Sequence, residues 1–137
     1  MAGHTDHVPK WVRIVIGILA IVNIIYGVWS YLDVSLLFHG GKGIDLMNPL
    51  IKNASFEFAE RNLAIGLALG FVTIIKGAPE ALVILTIVRA LIEIQTIIVS
   101  AVQGNISLML LVPLAFLAVE VFLIKTLIGV IKLEEAE

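Results

Sequence analysis

Four stretches of the chain, residues 12–32, 56–75, 81–102 and 108–127, are apolar over close to the roughly 20 residues that a helix needs to cross a hydrocarbon core of about 30 Å. No other feature restricts the fold as much. Lipid offers no hydrogen bonds, so a lone apolar run of this length must satisfy its own backbone N–H and C=O groups, and only the α-helix does that. The composition agrees: 60% of the residues are hydrophobic and 15% charged, where soluble domains run at about 45–50% and about 25%.

The punctuation between the stretches sets the connections. In "KGAPE", Gly77 suits the C′ position of one helix and Pro79 the N1 position of the next. In "QGNIS", Gly104 followed by Asn105 or Ser107 makes a second short break. Short connections join antiparallel neighbours. The reading is one all-α polytopic membrane domain over residues 1–137, with four transmembrane helices in an antiparallel bundle and a long outer loop over residues 34–55. Lys10 and Arg13 precede the first stretch as they would in a signal peptide, but the stretch is too long and lacks a small-x-small cleavage site, so a retained helix is expected.

Several function classes fall away. The net charge is −2 and no Lys/Arg cluster is interleaved with aromatics, so no nucleic-acid partner is expected. There is no cysteine, which excludes disulfides, thiolate metal sites and CxxC redox chemistry. His4, His7 and His39 all fall in tails or the outer loop, so neither a bis-His haem nor a histidine zinc or iron site is expected inside the membrane, and no cofactor is indicated.

Cations give an orientation. Lys10, Arg13, Lys76, Lys125 and Lys132 gather on the side of the termini and the "KGAPE" turn, against Lys42 and Lys52 on the other, which places both termini in the cytoplasm. Trp11, Tyr26, Trp29 and Tyr31 fit interfacial anchors at the ends of the first helix. The outer loop, "LFHGGKGIDLMNPLIKNAS", is no phosphate cradle, because "GGKG" lacks the Ser/Thr and the glycine spacing of a P-loop. It reads as a connector with an interfacial piece, residues 44–51; the alternative is a lid over an outward-facing cavity, with His39 as its titratable contact. Asn53 and Asn105 begin glycosylation sequons but abut helices, where helix capping is the expected use.

Polar residues inside the apolar stretches carry the functional signal. On the third helix Thr86, Arg89, Glu93, Thr96, Ser100 and Gln103 follow at intervals of three or four, a polar stripe on an apolar cylinder. Turned to lipid, a central charge costs about 2.5–3.5 kcal/mol on insertion scales, so the stripe should face the interior. On the second helix Glu57, Glu60, Arg61 and Asn62 occupy the first two turns, with Arg61 only about 6 Å from the depth of Glu93. Glu120 on the fourth helix comes level with Arg89, and Pro113 is expected to kink that helix. Glu60, Glu93 and Glu120 are three acids against the two cations Arg61 and Arg89, so one carboxyl needs a proton or another cation, and Glu120 is the expected one because its own helix carries no arginine. Gly66 and Gly70 of the second helix and Gly17, Ala20, Asn23 and Gly27 of the first form small-residue faces suited to each other or to a second copy of the chain.

The plan resembles that of the small DoxX-like membrane proteins, in "ERNLAIGLALG", residues 60–70, and "VRALIE", residues 88–93. That resemblance implies a four-helix membrane bundle and points toward quinone-coupled oxidation, with no catalytic residue carried over. An acidic residue inside the first helix, the hallmark of small multidrug transporters, is missing here.

Three classes of function fit these residues. The first is a transporter or binding protein holding a small anionic or amphiphilic ligand, or relaying protons, through Arg61, Arg89, Glu93, Glu120, Glu60 and Asn23. The second is an enzyme using carboxyl acid/base chemistry on a lipid-soluble quinone, sterol or isoprenoid. The third is an accessory subunit whose charges fix helix register.

Overall fold

The computed structural model describes residues 7–36, 45–102 and 108–136, and for residues 99, 100 and 109 the backbone alone. His39, Gly40, Gly41, Gly43 and the segment 103–107 lie outside the described residues, and with them the proposed lid and the expected Asn105 cap. The described residues form four α-helices: α1, Lys10–Leu32; α2, Pro49–Ile74; α3, Pro79–Val102; and α4, Leu111–Glu134. Single 3-10 turns, Val34–Leu36 and Leu108–Leu110, follow α1 and precede α4. Three helices are long and apolar enough to cross a membrane: α1, the part of α3 over Pro79–Ile98, and α4. The protein is an integral membrane protein. Ile18, Ile21, Ile84, Leu91 and Val121 lie exposed on these helices, as lipid-facing side chains must.

The helix α2 is long but carries Lys52, Glu57, Glu60 and Arg61 in its first half, which sets it apart from the other three. It begins at Pro49, well before the expected start at 56. The cause is local. Asn48 accepts a hydrogen bond from the Leu50 amide through Oδ1 at 2.9 Å, and Pro49 takes the first helical position, where its missing N–H costs nothing. Asn53, expected as the cap, is inside the helix. The start of the supposed interfacial segment is a turn closed by Asp45, whose Oδ1 accepts the Met47 amide at 3.0 Å.

Two compact units divide the chain. One spans Ile14–Phe71, most of α1 with α2. In it Ser30 meets Ser55, Gly27 meets Ala59 and Leu63, and Ala20 and Asn23 meet Gly66, so the two helices run antiparallel along their small-residue faces. A Cβ on Gly66 would stand 2.9 Å from the Ala20 carbonyl oxygen and 3.0 Å from the Asn23 Cβ, so this crossing requires glycine. Gly70 is looser, with nothing nearer than the Ala20 Cβ at 3.8 Å. The polar groups of the unit are mostly met locally: Ser55 Oγ donates to the Ser30 carbonyl at 2.9 Å, Ser30 Oγ to the Tyr26 carbonyl at 2.7 Å, and Asn62 Nδ2 to the Phe58 carbonyl at 2.8 Å.

The other unit holds residues 1–13 and 72–137, that is, the first turn of α1, α3 and α4. Leu82, Val83 and Ala90 of α3 and Leu123, Leu127 and Val130 of α4 are its buried apolar side chains, with Val8 and Val12. Trp11 packs on Phe122 with ring centroids 5.7 Å apart, and the Arg13 guanidinium donates to the Gly77 carbonyl at 3.2 Å. The turn before α3 is a Schellman motif shifted by one residue from the expectation. The Gly77 amide bonds to the Val72 carbonyl at 2.8 Å and the Lys76 amide to that of Thr73 at 3.3 Å, which makes Lys76 the C′ residue, at φ 52°, and Gly77 the C″ residue. Gly77 is needed for space, since a Cβ there would stand 2.7 Å from Val72 Cγ1. Pro79 opens α3 as its N1 residue, as the sequence suggests. Pro113 does not interrupt α4. It sits in the first turn, where amides have no intrahelical partner to lose, so the expected kink has no cause.

Candidate functional site

The stripe on α3 is buried at its N-terminal end and emerges toward its C-terminal end. Thr86, Arg89 and Glu93 are buried, whereas Thr96 is exposed and turns its hydroxyl back to the Ile92 carbonyl at 3.0 Å. The side chains of Ser100 and Gln103 lie outside the described residues. Thr86 is closed off by donating to the Leu82 carbonyl at 2.7 Å. This leaves Arg89 and Glu93, one helical turn apart, as the charged core of the stripe.

Helix α4 adds the third member. Packed against α3, it brings Glu120, which is 0% exposed, level with Arg89. The guanidinium then stands between two acids: Nη2 lies 2.7 Å from Glu93 Oε1, and Nε lies 3.2 Å from Glu120 Oε1. The two contacts differ in kind. The first is a short charge-assisted contact, in the range of a strong hydrogen bond. In the second the Nε–H does not aim at the acceptor. Among the described residues both Glu120 oxygens and Arg89 Nε lack a hydrogen-bond partner, although all three are buried. Coulomb attraction holds Glu120 in place with no donor on either oxygen, an expensive arrangement in a medium of low dielectric.

Phe116 completes the cluster. It precedes Glu120 by one helical turn, on the same face of α4, and its ring centroid lies 5.3 Å from the Arg89 guanidinium carbon, within cation–π range. Sequence reasoning missed it, because an aromatic residue in an apolar helix gives no signal by itself. The signal was its spacing of four from Glu120. The same ring lines an open groove of about 380 Å³ on α4, walled by Leu111, Val112, Ala115, Phe116 and Val119.

Not every expected site residue belongs to this cluster. Arg61 and Glu60 are exposed, and Arg61 is 3.6 Å from Glu57, itself exposed. The charged first turns of α2 are therefore left uncovered, and these two residues are not buried as the sequence reading expects. Their burial could not be read from depth along the helix alone, since depth leaves the direction of the side chain open. Asn23 is buried at 1% exposure in the α1/α2 unit, where Nδ2 donates to the Leu19 carbonyl at 2.7 Å and Oδ1 has no hydrogen-bond partner among the described residues. Among the described residues no group of three or more His, Asp or Glu side chains is arranged to hold a metal ion.

No family model, no curated protein and no solved structure matches the chain.

The chemistry of the cluster is narrow. With both acids ionised, Arg89, Glu93 and Glu120 sum to −1, the same surplus expected from the larger set that included Glu60 and Arg61. One proton or one singly charged cation brings the sum to zero. An incoming anion would take it to −2 and would have to displace a carboxylate from Arg89.

Proposed function

We propose that the protein is a small proton-coupled membrane carrier in which Glu120 binds and releases the exchangeable proton, with Arg89 as the fixed counter-charge and Glu93 as its permanent partner. One observation carries this reading: Glu120 is fully buried in a membrane-spanning helix and neither of its oxygens has a hydrogen-bond partner among the described residues, while the guanidinium 3.2 Å from it is also held by Glu93 at 2.7 Å. Ionisable groups inside membrane segments are expensive and tend to mark ion or proton pathways. In this reading α2 is a fourth crossing, its charged first turns standing at headgroup level, and both termini lie in the cytoplasm. The excess of Lys and Arg at the tails and the turn between α2 and α3 supports that orientation.

The test is infrared difference spectroscopy of the protein in lipid as pH is stepped. A protonated carboxyl absorbs apart from a carboxylate. The wild type is expected to show a carboxylic-acid band that grows and fades with pH, and Glu120→Gln to lack it while keeping its helical content. A band that survives Glu120→Gln, or no titrating band in the wild type, would refute the assignment.

A further inference from the structure

The groove on α4 and the charge surplus are neighbours. Phe116 belongs to both, its ring lining the groove and lying 5.3 Å from the Arg89 guanidinium carbon. Val119, the next wall residue, directly precedes Glu120 in the helix. Leu111, Val112, Ala115 and Val119 are exposed and apolar, so the groove opens where lipid tails would lie. An occupant that reaches the cluster from here must bring an apolar body. Its charge is set by what it meets: an aromatic face, which attracts cations, and beyond it two acids against one base.

From this we infer that the site takes a lipophilic organic cation, which enters from the membrane through the α4 groove and exchanges with the proton on Glu120. The inference rests on the proposed proton site and names its cargo. The exchange is non-covalent and balanced: one cation arrives, one proton leaves the Glu120 carboxyl, and the buried charge is unchanged. Phe116 is the positioning residue, because its ring both lines the groove and lies against the guanidinium, so an arriving cation meets it on the way to the acids. Among the described residues the charged groups on elements packed against α4 are few. Arg89 and Glu93 of α3 are the pair described above, Glu80 in the first turn of α3 and Lys10 in the first turn of α1 are exposed, and Arg13 is directed at the Gly77 carbonyl.

The experiment uses the full chain in detergent with tetraphenylphosphonium as the probe, measured by isothermal titration calorimetry at several pH values and by a pH indicator in weak buffer. Saturable binding is expected, with release of one proton per cation where Glu120 starts protonated, and affinity rising up to tenfold per pH unit over the range in which the Glu120 band fades. Glu120→Gln should abolish the pH dependence and weaken binding at least tenfold. Ala115→Trp, which fills the groove, should weaken binding at least tenfold while the infrared band of Glu120 stays. Phe116→Leu should weaken it less, with the proton count unchanged. Binding that ignores both Glu120→Gln and Ala115→Trp would overturn the inference, as would preference for a lipophilic anion such as tetraphenylborate. Absence of saturable binding with the titrating band intact would overturn the cargo and leave the proton site standing; loss of the band itself would remove both.

Discussion

The two units of this protein solve the same problem in opposite ways. Between α1 and α2 the helices approach over Gly27, Gly66 and Ala20, and the buried Ser30, Ser55 and Asn62 spend their hydrogen bonds on nearby carbonyls, so close contact with no charge holds the pair. Between α3 and α4 a guanidinium and two carboxylates sit in the interior, and one carboxylate, Glu120, has no hydrogen-bond partner among the described residues. In lipid there is no hydrophobic force to push helices together, so van der Waals contact and polar pairing are what remain. The first unit uses the cheap form. The second accepts an expensive one, and a buried ion pair is weak support for stability, since well-packed apolar groups often do as well or better. Two neutral helices would have packed, and the cost of α3/α4 is therefore the better sign of function.

This contrast can be broken by substitution. The largest effect is expected at Arg89→Met, which leaves Glu93 and Glu120 facing each other uncompensated and should cost about 3–5 kcal/mol, read as a lower unfolding midpoint in detergent. Adding Glu120→Gln should recover part of that loss; a double variant no better than the single would mean that Arg89 acts through packing alone. Next comes Gly66→Leu, which forces the new side chain against the Ala20 carbonyl and Asn23 and should cost about 1–3 kcal/mol. Gly70→Ala, where the nearest atom is 3.8 Å away, should instead stabilise by up to about 0.5–1 kcal/mol through helix propensity. Equal responses at the two glycines would dissolve the idea of a close crossing at Gly66. The smallest effect is expected at Asn23→Leu, since among the described residues Oδ1 has no hydrogen-bond partner and Nδ2 donates to a carbonyl of its own helix; the midpoint should move by less than the equivalent of about 1 kcal/mol. A large loss there would show that the first unit also holds a polar interaction that matters.

Much of the site was legible before any coordinates. The three-and-four spacing of Arg89 and Glu93, and the matching of Glu120 to Arg89 by counting residues along antiparallel helices, both rest on helix geometry, which is fixed at 1.5 Å and 100° per residue. What failed was inference about direction. Arg61 lies at a plausible depth yet is exposed, and Asn53 sits beside a hydrophobic run yet caps nothing, because Asn48 and Pro49 start the helix earlier. Pro113 looked like a kink only because α4 was expected to begin at 108.

The sequence by itself determined the class and the helical content: long apolar runs in lipid have one way to satisfy their backbones, and Asn48, Pro49, Gly77 and Pro79 mark the start of α2 and the turn from α2 to α3. Only the tertiary structure decided which charges are buried together. Rotation of a helix about its axis changes no local energy that a single helix can sense, so the choice of Arg89, Glu93 and Glu120 over Arg61 and Glu60, and the placing of Phe116 over the guanidinium, appear only when helices pack.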